Sequence, residues 1–137
     1  MGDYTTQLDC VRTFLLKIHT VATTEHADEC GSIHKILDAS NQKMFVNYPE
    51  IMGVDGVFNW KKYKIEIHET SEANLNTAIN NIIIGIRKFN DRTAITDFVY
   101  ASCTTMCNMR YSNSSEPEHV RGIWKCELWL EVEWSVI

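Results

Sequence analysis

A chain of 137 residues, 45% apolar and 23% charged, suits one ordinary domain, 1–137, and excludes both a disordered polymer and a membrane bundle. The net charge of −5 argues against direct nucleic-acid binding, which needs a cationic face for phosphates.

In chain order, Tyr4, Leu8, Val11, Leu15, Ile18 and Ala22 recur at spacings of four and three, one stripe of an amphipathic helix. The acidic segment 23–32 then meets Gly31 and reads as a helix end and loop. Residues 33–49 predict two short strands around the turn-forming Asp38, Ala39, Ser40 and Asn41, closed by Pro49. Segment 50–59 holds Gly53 and Gly56 and reads as a loop, but an unusually apolar one. Its Ile51, Met52 and Val54 must cover the chain's own core or a neighbouring chain.

Residues 60–69 alternate: Tyr63, Ile65 and Ile67 point one way, Lys62, Lys64, Glu66 and His68 the other. Thr70 or Ser71 caps a second helix whose stripe is Leu75, Ala78, Ile79, Ile82, Ile83, Ile86 and Phe89. Gly85 costs this helix about 1 kcal/mol against alanine, and a close approach to a strand would explain it. Residues 94–111 and 123–134 predict a long hairpin around the polar turn 112–122. The expected fold is α+β, order α-β-β-β-α-β-β, with two helices packed on one face of a mostly antiparallel, mixed sheet.

The cysteines stand at 10, 30, 103, 107 and 126. Their odd number and scattered spacing predict no disulfide framework, and Cys103, Cys107 and Cys126 read as small buried apolar residues. The N-terminus has no leader character, and no apolar run reaches the roughly 20 residues of a membrane span. The expected location is the cytoplasm, or a virion if the chain is viral, with no membrane partner. The pattern Met1–Thr6 formally fits myristoylation, and Asn113-Ser114-Ser115 a glycosylation sequon.

Chemistry-bearing groups are few. His26, Cys30 and His34 are zinc-capable. Residues eight apart on a helix lie about 12 Å apart along its axis, so a joint site needs a break at Gly31, and surface histidines are the simpler reading. His68 beside Glu69 at a strand end is the one acid–base pair that would suit a hydrolytic site. No nucleophile elbow, phosphate loop, H-E-x-x-H or C-x-x-C occurs. No catalytic residue and no cofactor is predicted.

The middle strand, second helix and final hairpin, "WKKYKIEIHETSEANLNTAINNIIIGIRKF" and "GIWKCELWLEVEW", together resemble small tail-terminator or tail-completion proteins of tailed phages. The likeness rests on element order and covers roughly residues 1–20 and 58–136. It implies a non-enzymatic subunit of a ring, commonly hexameric, with other virion proteins as possible partners.

Within the last strand, Trp124, Cys126, Leu128, Leu130, Val132 and Trp134 form the apolar set. The opposite set is Lys125, Glu127, Trp129, Glu131 and Glu133. A tryptophan among three glutamates on the polar face has two readings. It is either covered by a lysine stem or the centre of an interface with a charged rim. The second reading expects a homo-oligomer. Its surface comprises Trp129, Glu127, Glu131 and Glu133, with Lys62 and Lys64 of a second subunit as complements and Ile51, Met52 and Val54 nearby. The alternative is a small-molecule- or metal-binding protein with a pocket between helices and sheet.

Overall fold

The computed structural model describes residues 4–18, 23–26, 43–46, 50–55, 58–91, 103 and 105–135. Helix α1 runs Tyr4–Ile18. Strands β1 (Thr23–His26), β2 (Lys43–Val46), β3 (Glu50–Asp55) and β4 (Phe58–Glu69) follow. Helix α2 spans Glu72–Asn90, and β5 (Met106–Ser114), β6 (Glu118–Val120) and β7 (Ile123–Ser135) complete the order. The α+β class is as expected, and the final hairpin is an antiparallel β5–β7 pair. Two segments expected as loops are strands. Residues 23–26 form β1, parallel to β2. Residues 50–55 form β3, antiparallel to β4, with a register shift between Ile51 and Gly53. The long β4 supplies a template for both edges of this half of the sheet, and the bulge admits the glycine that argued against a strand. The predicted turn at 38–41 lies outside the described residues.

Two long strands carry the sheet. β4 and β7 pair antiparallel through twelve residue pairs, from Phe58↔Ser135 to Glu69↔Trp124. Each carries two short strands on its far side: β2 and β3 on β4, and β5 and β6 on β7. Alternation along both long strands puts Tyr63, Ile65, Ile67, Cys126, Leu128, Leu130, Val132 and Trp134 on one buried face. Both helices pack there. Leu8, Val11, Phe14 and Leu15 of α1 join Leu75, Ala78, Ile82 and Phe89 of α2 in one core with those strand residues. Phe14 meets Phe89 edge-on at 6.2 Å. Trp134 donates its indole N–H to the Tyr63 hydroxyl at 3.1 Å, which satisfies both buried polar atoms. Trp124 is only partly buried against this core and stacks on His119 at 4.7 Å. It lies at the end of the ladder, beyond full cover.

Ser71 caps α2, its hydroxyl accepting from the Asn74 N–H at 3.1 Å. Gly85 is buried, and its close neighbour is a helix rather than the expected strand: an added Cβ would sit 2.7 Å from Cγ2 and 2.9 Å from Cδ1 of Ile18.

The cysteine reading needs correction. Cys10 of α1 and Cys103, just ahead of β5, form a disulfide with Cα atoms 5.9 Å apart. They are 93 residues apart in the chain, so no local pattern announced the pair. A loop of that length contributes about 4–5 kcal/mol in the chain-entropy account. Cys126 is a buried free thiol, and the half-buried Cys107 donates to the Thr105 carbonyl at 3.5 Å. Burial, with Glu127 adding to it, pushes the Cys126 thiol up to about 11, which keeps it protonated and inert.

Trp134→Ala is expected to cost about 3–5 kcal/mol, the usual range for emptying a fully buried aromatic site, and Trp124→Ala markedly less; urea titrations of both variants measure the difference. Gly85→Ala should destabilise by about 1–3 kcal/mol through overpacking, despite alanine's better helix propensity. A double-mutant cycle with Ile18→Ala should recover most of that loss, since the clashing methyl groups are then gone.

Candidate functional site

The face of the sheet away from the helices is built from even-numbered residues of β4 and odd-numbered residues of β7. The register sets Trp60 opposite Glu133, Lys62 opposite Glu131, Lys64 opposite Trp129, Glu66 opposite Glu127 and His68 opposite Lys125. On the flanks, Glu50 of β3 faces Lys62, and Arg110 and Asn108 of β5 face Glu131 and Glu133. One row therefore reads Glu50, Lys62, Glu131, Arg110 across four strands, alternating in sign.

Most of this charge is satisfied within the chain. Arg110 pairs with Glu131, which is buried, and its guanidinium lies 4.1 Å from the centre of the Trp60 ring. Glu133 accepts from the Asn108 amide at 2.7 Å. Glu66 and Glu127 stand directly opposite, a like-charge pair that alone would destabilise the ladder. The Lys64 ammonium bridges them, 3.7 Å from Glu66 and 3.0 Å from Glu127. Trp129 is half-buried beside this bridge. Glu131, expected as part of an open surface, is instead closed off beneath Arg110.

The three neighbouring lysines divide. Lys62 and Lys64 lie on this outer face. Lys61 turns to the helix side and donates to the Gln7 side-chain oxygen of α1 at 2.6 Å; burial lowers its pKa.

His68, expected in water, is buried on the outer face, 3.9 Å from a Glu66 carboxylate oxygen. The neighbouring His68 holds the Glu66 carboxyl below the usual range, with Lys64 and Lys125 adding favourable charge against the opposing cost of burial. Glu69, next along the strand, is buried on the opposite face. The chain thus does not bring His68 and Glu69 together as an acid–base pair; the histidine's carboxylate neighbour is Glu66, two residues away on its own face. No sequence motif marks this pairing, although the period-2 alternation is enough to find it.

The edges differ from the face. On β3, Ile51 is 71% exposed and Met52 46%; Val54 follows on the same strand, opposite Asn59. On the far edge, an open groove of about 280 Å³ runs between α2 and β5, lined by Ile83, Ile86, Arg87, Asn90, Tyr111 and their neighbours. At one end of it the Asn90 side chain behaves like a strand partner. It donates to the Met109 carbonyl at 2.7 Å and accepts from the Met109 N–H at 2.9 Å. Nothing in the α2 stripe pointed to this contact, because Asn90 follows the last stripe residue.

Core side chains occupy the centre of the space between helices and sheet, where a ligand pocket was the alternative expectation, and the groove between α2 and β5 lies at its margin. Among the described residues no group of three histidine, cysteine or acidic side chains is placed to hold a metal. His26 ends β1, and Cys30 and His34 lie outside the described residues. No helix among the described residues is long and apolar enough to cross a membrane.

A scan against protein-family models and a search of curated proteins both found no match to this chain.

The Glu66 environment makes a signed prediction. A carboxyl held below its ordinary value favours the folded state at pH values above about 4.3. That contribution is lost as the pH falls through the depressed value. Glu66→Gln should therefore have a shallower acid limb than the parent in thermal melts collected downward from pH 5. Equal acid slopes for the two proteins would remove Glu66 from the balance.

Proposed function

We propose that this chain is a non-enzymatic structural subunit that self-associates, and that its assembling surface includes the β3 edge. The observation that carries the reading is Ile51 and Met52, two large apolar side chains exposed in succession on a strand that, among the described residues, pairs on one side only. Soluble sheets ordinarily blunt such an edge with charge, proline or cover, because it invites another chain to pair. Covering them in an oligomer gives the apolar segment 50–55 a purpose. A ring of the tail-terminator type is the form of assembly to which the element order points.

The Cys10–Cys103 disulfide bears on location. Such bonds persist in oxidising surroundings and on virion surfaces, and are rare in the cytosol of mesophiles. Between the cytoplasm and the virion, it supports the virion.

Replacing Ile51 and Met52 together by Glu should leave the melting temperature within about 2 °C of the parent, since both side chains are exposed and surface changes alter stability little. The same change should shift sedimentation at tens of micromolar from an oligomer to a monomer. A parent protein that sediments as a monomer at that concentration would refute the proposal outright.

A further inference from the structure

The reading above says that copies assemble; the two sheet edges say how. Resting on that reading, we infer that β3 of one copy adds as a strand to the edge of β5 of the next, an edge without a strand partner among the described residues, filling the groove beside α2.

Four observations converge on this pairing. First, β3 and β5 flank the same half of the central strands, one beyond β4 and the other beyond β7. Strand directions alternate along β3-β4-β7-β5, so a second copy in the same orientation brings its β3 antiparallel to β5. Second, the outer-face row starts with an anion, Glu50, and ends with a cation, Arg110. The two edges are opposite in sign, and joining them continues the alternation. Third, Ile51 shares a face with Lys61, the helix side of the sheet. In the next copy that side of the β5 edge is the groove, where Ile83, Ile86 and Tyr111 offer apolar cover and Arg87 a positive rim. Fourth, Asn90 sets where pairing begins. It occupies the outward N–H and C=O of Met109, and the two-residue alternation of an antiparallel ladder turns those of Tyr111 to the same edge. The incoming strand therefore makes its main-chain pair at Tyr111, just before β5 shifts register between Tyr111 and Asn113. Its Ile51 then meets Ile83 and Ile86, and its Glu50 comes within diagonal reach of Arg110.

Strand addition of this kind takes its affinity from main-chain bonds and its selectivity from alternate side chains in pockets. Because the two surfaces differ, the contact is head-to-tail, and repetition closes into a ring or runs on as a filament. A β3-to-β3 contact would instead stop at a dimer.

Complementation separates these cases. Ile51→Glu spoils the β3 edge and leaves the groove intact. Arg87→Glu with Tyr111→Glu spoils the groove through exposed positions and leaves β3 intact. Circular dichroism melts first establish that both variants fold. Each alone should then self-associate at least about tenfold more weakly than the parent, the loss expected when a hot-spot contact is removed. Mixed in equal amounts, they retain one good edge each, and sedimentation should show a heterodimer and nothing larger. If the groove variant assembles like the parent while Ile51→Glu does not, the inference is overturned and the self-association reading stands. Two monomeric variants that form no heterodimer also overturn it. A parent that is itself monomeric sinks both.

Discussion

The twelve-pair ladder between β4 and β7 is the constraint from which the rest of the molecule follows. It fixes which side chains face the helices and which face away, because a one-residue slip would exchange the two sets along its whole length. Tyr63 reaches Trp134 only in this register, and Lys62 meets Glu131 only in the same one. The four short strands that flank the pair need no independent stability, since each borrows a partner strand already in place. The two helices then close the apolar face, held to each other at the Ile18–Gly85 approach and, through Cys10, to the segment that leads into β5.

Polar chemistry on the opposite face is largely self-contained. Arg110 is committed to Glu131 and Trp60, Lys64 to two glutamates, and Glu133 to Asn108. A partner that landed flat on this face would have to desolvate ion pairs already made, a cost that new contacts repay poorly. The edges carry no such burden. Their exposed apolar side chains gain from being covered, and their backbone groups gain partners. In the proposed assembly, this distribution of satisfied and unsatisfied groups, more than any individual residue, favours contacts sideways through the sheet.

Much of this was legible in the sequence. Period-2 alternation in 60–69 and 123–134 marked both central strands and their faces, and the stripe from Leu75 to Phe89 marked α2 with its serine cap. What escaped notice was non-local. Cys10 and Cys103 become neighbours only when α1 docks near the residue that leads into β5. β3 reads as a loop because Gly53 weakens its strand character, and only the length of β4 makes room for it. His68 looked wet by alternation, yet burial of an outer-face residue depends on cover that parity does not report. For the candidate site, Ile51 and Met52 were recognisable as apolar residues needing cover, whereas the groove was not, because neither the helical stripe nor the strand alternation reports how α2 sits against β5. Glu131 shows the reverse error: a charge in an alternating strand looks available until Arg110 is seen across the ladder.

The central strand β7 is also the last described element to leave the ribosome. Sixty-six residues separate the end of β4 from the end of β7, so at usual synthesis rates β4 waits about 3–13 s for its principal partner. During that interval the β7-facing side of the row from Phe58 to Glu69 is an unpaired template, whatever β2 and β3 add on its other side. A message truncated anywhere upstream of residue 123 would leave that template permanently bare, and the product would be prone to aggregate. Placing β7 in the middle of the sheet makes burial of the core conditional on it: only chains read through β7 can complete the central ladder.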